Sequence, residues 1–132
     1  FHSGLKGHSD GDVILHSIID ALLGALKKKD IGTLYPSNEN KFKNIRSRKM
    51  LSPVISLLND NNFFINNLDV NLICEKPKVS GYRNKIINSL SKLMNINKKI
   101  INLKGKTVEK LGLIGKENAI ACESIVSINK YE

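Results

Sequence analysis

The sequence predicts an α/β domain of the α+β sandwich type, in which helices cover one face of a mixed β-sheet. One observation is the order of the segments, which alternate between helical and strand patterns as helix, helix, strand, helix, strand, strand. A second is the size of the chain, because 132 residues that are 41% hydrophobic can bury one compact core without disulfide bonds. We therefore expect residues 1–132 to form a single domain.

The first helix is predicted over residues 11–26, because apolar side chains recur there at spacings of three and four residues. Ser9 or Asp10 is the expected N-cap. Lys27, Lys28 and Lys29 stand at the C-terminal end, where positive charge interacts favourably with the helix dipole. The segment 30–37 that follows is typical of a loop.

The remaining elements follow from the same patterns. Helices are predicted over about residues 47–58 and 82–94, where the helical spacing of apolar residues returns. Alternation of apolar and polar residues predicts a strand over 63–75, and short apolar runs predict strands over 100–104 and 119–128. We expect the last of these strands to be buried.

The net charge of +9 has two interpretations. It favours an anionic partner, such as nucleic acid, a membrane surface or a phosphorylated substrate. It also fits a general bias toward Lys, Asn and Ile. The lysines are scattered over all segments and only 5% of residues are aromatic, which argues against nucleic acid. No run of about twenty apolar residues is present, so no membrane span is predicted.

The most prominent local motif runs from His8 to His16. His16 follows Asp12 by four residues, so the two side chains share a helix face at a spacing of about 6 Å. An Asp and two His residues could bind a divalent metal, and free N–H groups at a helix start attract phosphate. Alternatively, the carboxylates are ordinary first-turn residues and His16 is a histidine of the core.

Three further segments carry residues of catalytic type. The carboxylate and glycine of Lys29–Gly32 could hold the hydroxyls of a polyol, or form an ordinary helix terminus. The glycines, hydroxyl and lysines of Lys104–Gly112 could hold a diphosphate, or form a solvated basic turn. The residues Cys74–Lys78 could present backbone groups to a base, or simply end a strand.

Taken in order, the segments HSDGDVILHSIIDALLGALKKKDIG, LYP, LDVNLICEKPK, TVEKLGLIG and IACE closely resemble the 2-C-methyl-D-erythritol 2,4-cyclodiphosphate synthase family. The resemblance covers essentially the whole chain. It implies conversion of 4-diphosphocytidyl-2-C-methyl-D-erythritol 2-phosphate into the cyclic diphosphate and CMP, in the non-mevalonate isoprenoid pathway. It also implies a zinc ion that polarises the β-phosphate and a magnesium or manganese ion that bridges the α- and β-phosphates.

The resemblance further implies roles for single residues. His16 would bind zinc and Glu109 would bind magnesium or manganese, while His8 and Thr107 would stabilise the transition state and Asp12 would support them. The implied substrate-binding residues are His8, Ser9, Asp30, Ile31, Gly32, Tyr35, Pro36, Ser37, Asn38, Glu39, Cys74, Glu75, Lys76, Pro77, Lys78, Val79, Ser80, Lys106, Thr107, Val108, Glu109, Leu113 and Lys116.

The sequence departs from the family pattern in three places. No Asp-x-His pair, which completes the family's zinc site on an opening strand, precedes His8. We expect that strand to exist in the natural protein. Lys106 and Val108 flank Thr107 where consecutive threonines are common. Leu113 and Lys116 replace a Phe and an Arg near the central cavity of the family's trimer, which argues against regulatory isoprenoid-diphosphate binding there.

The resemblance implies a homotrimer with active sites between neighbouring subunits. The pathway and the composition favour a plastid-like organelle of the apicoplast type, with a bacterial cytoplasm as the alternative. Two other functions stay open on the sequence alone. One is an inactive structural subunit of a trimer, because zinc ligands are missing, and the other is a basic nucleic-acid-binding domain, because of the net charge.

Overall fold

The computed structural model describes residues 8–34, 47–74, 81–106 and 120–132. Within them lie helices α1 (His8–Ala25), α2 (Ile31–Leu34), α3 (Ser47–Asp60) and α4 (Arg83–Met94), a 3-10 helix (Lys98–Ile100), and strands β1 (Phe63–Ile73), β2 (Ile101–Lys106) and β3 (Ala121–Lys130). The predicted order of elements is confirmed, with α2 as an additional short helix.

The three strands form one mixed sheet in the order β2-β1-β3. β1 and β2 are parallel, with Leu68 opposite Ile101 and Ile73 opposite Lys106. β1 and β3 are antiparallel, and the ladder carries an irregularity near Ile65. The predicted mixed sheet is therefore confirmed. The connection between the two parallel strands contains α4, as a crossover between parallel strands requires.

The core lies between one face of this sheet and the helices. Leu68, Val70 and Leu72 of β1 are fully buried at 0% exposure, while the residues between them are only half-buried. Because successive side chains of a strand point to opposite faces, this alternation defines one inward face. The helix side chains in the same cluster are Ile14, Leu15, Ile18, Ile19, Leu22 and Leu23 of α1, Met50, Leu51, Val54 and Leu58 of α3, and Ile86, Ile87, Leu90 and Met94 of α4. Helices on one face of a sheet are the predicted arrangement.

The ends of α1 differ from the prediction. The helix begins at His8, so Ser9 and Asp10 lie inside its first turn and neither is the N-cap. Several adjacent polar residues could each cap a helix, and sequence alone does not choose among them. At the other end Lys27 has a positive φ of 59°. The N–H of Lys28 donates to the carbonyl of Leu23 at 2.8 Å, a bond that closes the helix end. The helix therefore ends at Ala25, and the left-handed Lys27 and the two lysines after it lie beyond it.

The burial of β3 also differs from the prediction. It was expected to be buried, but its residues alternate between half-buried and exposed, and Ile125 is 69% exposed. β3 contacts α1 on its inner face and pairs with β1 along one edge. No described element covers its outer face, so the side chains that point outward remain accessible. Separately, no helix among the described ranges is long and apolar enough to cross a membrane.

Candidate active site

The exits of β1 and β2 lie side by side. The backbone N–H of Cys74, the residue after β1, donates a hydrogen bond of 3.0 Å to the carbonyl of Lys106, the last residue of β2. Because the strands are parallel, both chains leave the sheet at its carboxyl edge. Ligands of open α/β sheets bind at this edge. Two segments implied to bind substrate, 74–80 and 106–109, therefore begin next to each other.

Cys74 and Lys106 differ in exposure. The Cys74 side chain is buried at 4% exposure, whereas Lys106 is exposed. The Cys74 thiol therefore lies inside the fold, and the Cys74 N–H is engaged by the Lys106 carbonyl. Lys106 places a solvent-accessible cation beside it, which suits the phosphates of a nucleotide.

A chain of polar contacts leads to this edge from the outer face of the sheet. Asp69 on β1 accepts hydrogen bonds from Lys104 Nζ at 2.9 Å and from Asn102 Nδ2 at 3.1 Å, both on β2. Arg83, at the start of α4, donates from Nη2 to Asn102 Oδ1 at 2.9 Å and from Nε to the Leu103 carbonyl at 3.1 Å. The sequence patterns do not reveal this network, because its members meet only when the strand register is known.

The electrostatics of the network follow from these contacts. The hydrogen bond from Lys104 is the main cause that lowers the pKa of Asp69, and the bond from Asn102 and the charge of Lys106 act in the same direction. Partial burial opposes them by raising the same pKa. Asp69 is therefore held as a carboxylate on the outer face of the sheet, next to the lysines of β2.

His16 is exposed on α1, while its neighbours Leu15 and Ile18 are buried. The alternative interpretation of His16 as a core histidine is therefore wrong. Asp12 lies one turn earlier and is half-buried. The exposed imidazole can present a ring nitrogen to a metal, and imidazole is a good zinc ligand, so His16 fits its implied role. Among the described residues no group of three His, Cys, Asp or Glu side chains could hold a metal ion.

α1 is attached to β3 directly after His16. Ser17 Oγ donates to Ser124 Oγ at 2.7 Å, between α1 and β3. Beside this pair, burial raises the pKa of the Cys122 thiol, although hydrogen bonds with Ser17 and Ser124 partly oppose the shift. The contact joins α1 to β3, while the buried apolar face of α1 leaves His16 on the exposed side.

Asp30 caps α2, where the sequence predicted a loop. Its Oδ1 accepts hydrogen bonds from the backbone N–H of Thr33 at 3.3 Å and from the Thr33 hydroxyl. The N–H of Leu34 bonds to the Asp30 carbonyl at 3.1 Å. One carboxylate oxygen of Asp30, Oδ1, is thus engaged in capping. Gly32 is exposed beside it.

The other implied site residues lie outside the described part of the chain. These are Tyr35, Pro36, Ser37, Asn38, Glu39, Glu75, Lys76, Pro77, Lys78, Val79, Ser80, Thr107, Val108, Glu109, Leu113 and Lys116. The backbones of His8, Ser9 and Ile31 are helical, but their side chains are not among those described. Cys74 and Lys106 are the implied residues that a described hydrogen bond joins directly.

The fold is that of a mixed α/β domain in which two adjacent parallel strands end side by side. Residues 1–129 match the model of the YgbB family. The chain belongs to the YgbB family.

Relatives support this membership. The chain is 51% identical over 129 residues to the bifunctional enzyme IspD/IspF of Pelagibacter ubique (strain HTCC1062), covering 98% of this chain and 35% of that protein. It is 48% identical over 115 residues to the 2-C-methyl-D-erythritol 2,4-cyclodiphosphate synthase, apicoplast, of Plasmodium falciparum (isolate 3D7), covering 87% of this chain and 48% of that protein. The chain thus spans about a third of the first relative and about half of the second.

A solved structure also supports membership of the family. The structure described as IspF (Plasmodium falciparum) CDP complex superposes with a TM-score of 0.83 at 42% identity, covering 96% of this chain and 76% of that one. The family resemblance inferred from the sequence motifs is therefore confirmed.

Proposed function

We propose that this chain forms a single domain that converts 4-diphosphocytidyl-2-C-methyl-D-erythritol 2-phosphate into 2-C-methyl-D-erythritol 2,4-cyclodiphosphate and CMP. The observation that carries the proposal is the hydrogen bond between Cys74 and Lys106. It brings the segment proposed to bind cytosine beside the segment proposed to bind phosphate and ribose, as one nucleotide requires. A relative with 42% identity is described as a CDP complex, which supports a cytidine nucleotide as the ligand.

The reaction requires little covalent chemistry from the protein, because the substrate supplies its own attacking group. An oxygen of the substrate's 2-phosphate forms a bond to the β-phosphorus, and the bond from that phosphorus to the bridging oxygen breaks, so the electron pair leaves with CMP. The domain must fold the substrate so that these groups meet and must offset the negative charge. Lys106 supplies one exposed cation at the strand exits. Thr107 and His8 are proposed to stabilise the transferring phosphate.

Metal binding is part of the proposal. His16 would hold zinc through a ring nitrogen, and Glu109 would hold magnesium or manganese. A bound divalent ion supplies positive charge to the phosphate oxygens during transfer. Asp12 would support this region from the adjacent helical turn.

The remaining substrate contacts are assigned by segment. Asp30, Ile31 and Gly32 would bind the methylerythritol hydroxyls, with Asp30 Oδ2 as the available acceptor. Residues 35–39 would form a neighbouring part of the same pocket. Residues 74–80 would bind cytosine, mainly through backbone groups.

The proposed assembly is a homotrimer with active sites between subunits. This assembly is the one that the family resemblance implies. The proposed location is a plastid-like organelle, with a bacterial cytoplasm as the alternative. One relative is named as an apicoplast enzyme and another comes from a bacterium, so relatives of both kinds exist.

The test is product formation by the purified natural protein that contains these residues. With zinc and magnesium present, phosphorus NMR should show the cyclic diphosphate appearing together with CMP. A substrate analogue without the 2-phosphate is the matched control and should release no CMP, because it lacks the attacking group. A folded, metal-loaded protein that leaves the substrate unchanged would overturn the proposal and favour an inactive structural subunit.

A further inference from the structure

We propose that Arg83 is a positioning residue for this site, and that it holds the exits of β1 and β2 in place from the open edge of β2. The inference rests on the proposed function, because it assigns Arg83 a role in that same site. Neither the family resemblance nor the relatives assign Arg83 a role.

Arg83 lies close in the sequence to the segment proposed to bind cytosine. It is the first residue of α4, three residues after Ser80, which ends the segment proposed to bind cytosine. Its guanidinium contacts Asn102 and Leu103, shortly before Lys106 begins the segment proposed to bind phosphate. One side chain therefore connects the end of one substrate segment to the strand that leads into the other.

Arg83 binds a backbone carbonyl of β2 that faces away from β1. Carbonyl groups alternate in direction along a strand. The Lys106 carbonyl points toward β1, because it accepts the N–H of Cys74. The Leu103 carbonyl, three residues earlier, therefore points away from β1. β2 has β1 as its single neighbour among the described strands, so this carbonyl lies at the open edge. The Nε of Arg83 satisfies it at 3.1 Å.

The hydrogen-bond network continues from Arg83 across β2 to β1. Arg83 Nη2 bonds to Asn102 Oδ1 at 2.9 Å, and Asn102 Nδ2 bonds to Asp69 Oδ1 at 3.1 Å. Lys104 occupies the other Asp69 oxygen, Oδ2, at 2.9 Å. α4, β2 and β1 are thus joined by side chains of defined geometry.

This geometry opposes a shift in the register of β2 against β1, which the packing of the core sets. Lys106 lies on the same face of the sheet as Asn102 and Lys104, because the three residues alternate along one strand. A slip by one residue would move Lys106 to the opposite face and would separate its carbonyl from Cys74. Arg83 is placed to oppose that slip, because its two donors bind two consecutive residues of β2, Asn102 and Leu103.

The first readout is the amide exchange of Cys74, which does not depend on activity. In Arg83→Ala, hydrogen exchange of the Cys74 N–H should be at least about tenfold faster than in the wild type. The amide of Leu68, at the other end of the β1–β2 ladder, should change by less than about twofold if the effect is local. Lys85→Ala removes an exposed cation from the same helix and should leave both amides unchanged.

The second readout is steady-state kinetics on the diphosphocytidyl substrate. Arg83→Ala should lower kcat by about tenfold to a hundredfold, because misplaced phosphates react slowly even when bound. Arg83→Lys should recover part of this loss, because one ammonium group can reach the Leu103 carbonyl but lacks the fork that also binds Asn102. A protein that is merely destabilised would lose melting temperature while its folded fraction kept its kcat.

The outcomes separate the two proposals. Unchanged Cys74 exchange together with kcat within about twofold of the wild type would overturn the role of Arg83 and leave the proposed function intact. A wild type without activity would overturn the proposed function, and the exchange data would still decide whether Arg83 holds the strand exits. If Arg83→Ala does not fold, Arg83→Lys is compared with the wild type on the same two readouts, and no change in either would again overturn the role.

Discussion

The N–H of Cys74 donates to the carbonyl of Lys106 at 3.0 Å, although Cys74 follows β1, Lys106 ends β2, and a helix lies between them in the chain. This bond closes the β1–β2 ladder at the edge where two proposed substrate segments begin. It engages the backbone N–H of Cys74, whose side chain is buried.

Changing His16 to Ala should remove zinc and lower turnover by about a hundredfold or more, since losing a ligand costs more than losing a residue that merely orients one. The fold should persist, because His16 is exposed. Zinc content by elemental analysis and CMP release by chromatography measure the two effects. Lys28→Ala changes an exposed residue just beyond α1 and is the control, which should keep its zinc. A His16→Ala protein with normal metal content and turnover would show that the assignment is wrong.

Changing Glu109 to Gln should weaken the second metal, because an amide is a poorer ligand for magnesium than a carboxylate. The expected result is a rate that needs at least about tenfold more magnesium or manganese to reach half its maximum. Initial rates measured against metal concentration give this value. Glu117→Gln removes the same charge at another position in the sequence and should leave the metal dependence unchanged. Equal metal dependence in both variants would exclude the proposed role of Glu109.

Changing Leu72 to Ala should reduce the free energy of unfolding by about 2–5 kcal/mol, because the side chain is fully buried in the central strand and leaves a cavity. Urea denaturation followed by circular dichroism measures this loss. Ser52→Ala on the exposed side of α3 is the control and should change stability by less than about 0.5 kcal/mol. A Leu72→Ala protein as stable as this control would contradict the position of Leu72 in the core.

The ion pair of Asp69 and Lys104 should give a pH-dependent contribution to stability. The folded pKa of Asp69 lies below its ordinary value of 3.8, mainly because Lys104 donates a hydrogen bond to it. A lowered pKa means that the contribution is present above the unfolded pKa and is lost as the pH falls through the folded pKa. The contribution should be below about 1 kcal/mol, since both side chains are partly exposed.

Carboxyl carbon NMR titration measures this pKa directly. Lys104→Met should raise the pKa of Asp69 toward its ordinary value, because it removes the main cause of the shift. Lys92→Met, on α4, is a charge-matched control and should leave the pKa of Asp69 where it is in the wild type. An unchanged pKa in the Lys104 variant would contradict the 2.9 Å contact as its cause.

Much of the fold could be predicted because its signals are local. Helical spacing in α1 and strand alternation in β1 place these elements within a few residues of their observed bounds. The incorrect predictions concern the start of a helix and the burial of a strand at the edge of the sheet. Ser9 and Asp10 are both good caps by type, so the true start of α1 was missed. β3 was expected to be buried because its apolar residues are frequent, but burial depends on what covers each face.

The candidate site was predictable in part. His16 and Lys106 stand within motifs that resemble a known family, and their exposure in the structure fits their implied roles. The contacts of Arg83 with Asn102 and Leu103 carry no such motif. A residue that acts by holding a strand edge has no sequence signature of its own, because any donor of suitable length at that position could do the same.

By itself, the sequence determined the class of fold, the order of its elements, the family and the candidate metal and substrate residues, because periodicity and motifs are properties of neighbouring residues. The tertiary structure alone decided the strand order β2-β1-β3, the joining of Cys74 to Lys106 and the network from Arg83 to Asp69. These contacts join residues far apart in the chain. Their register is set by the packing of the whole core and not by any single segment.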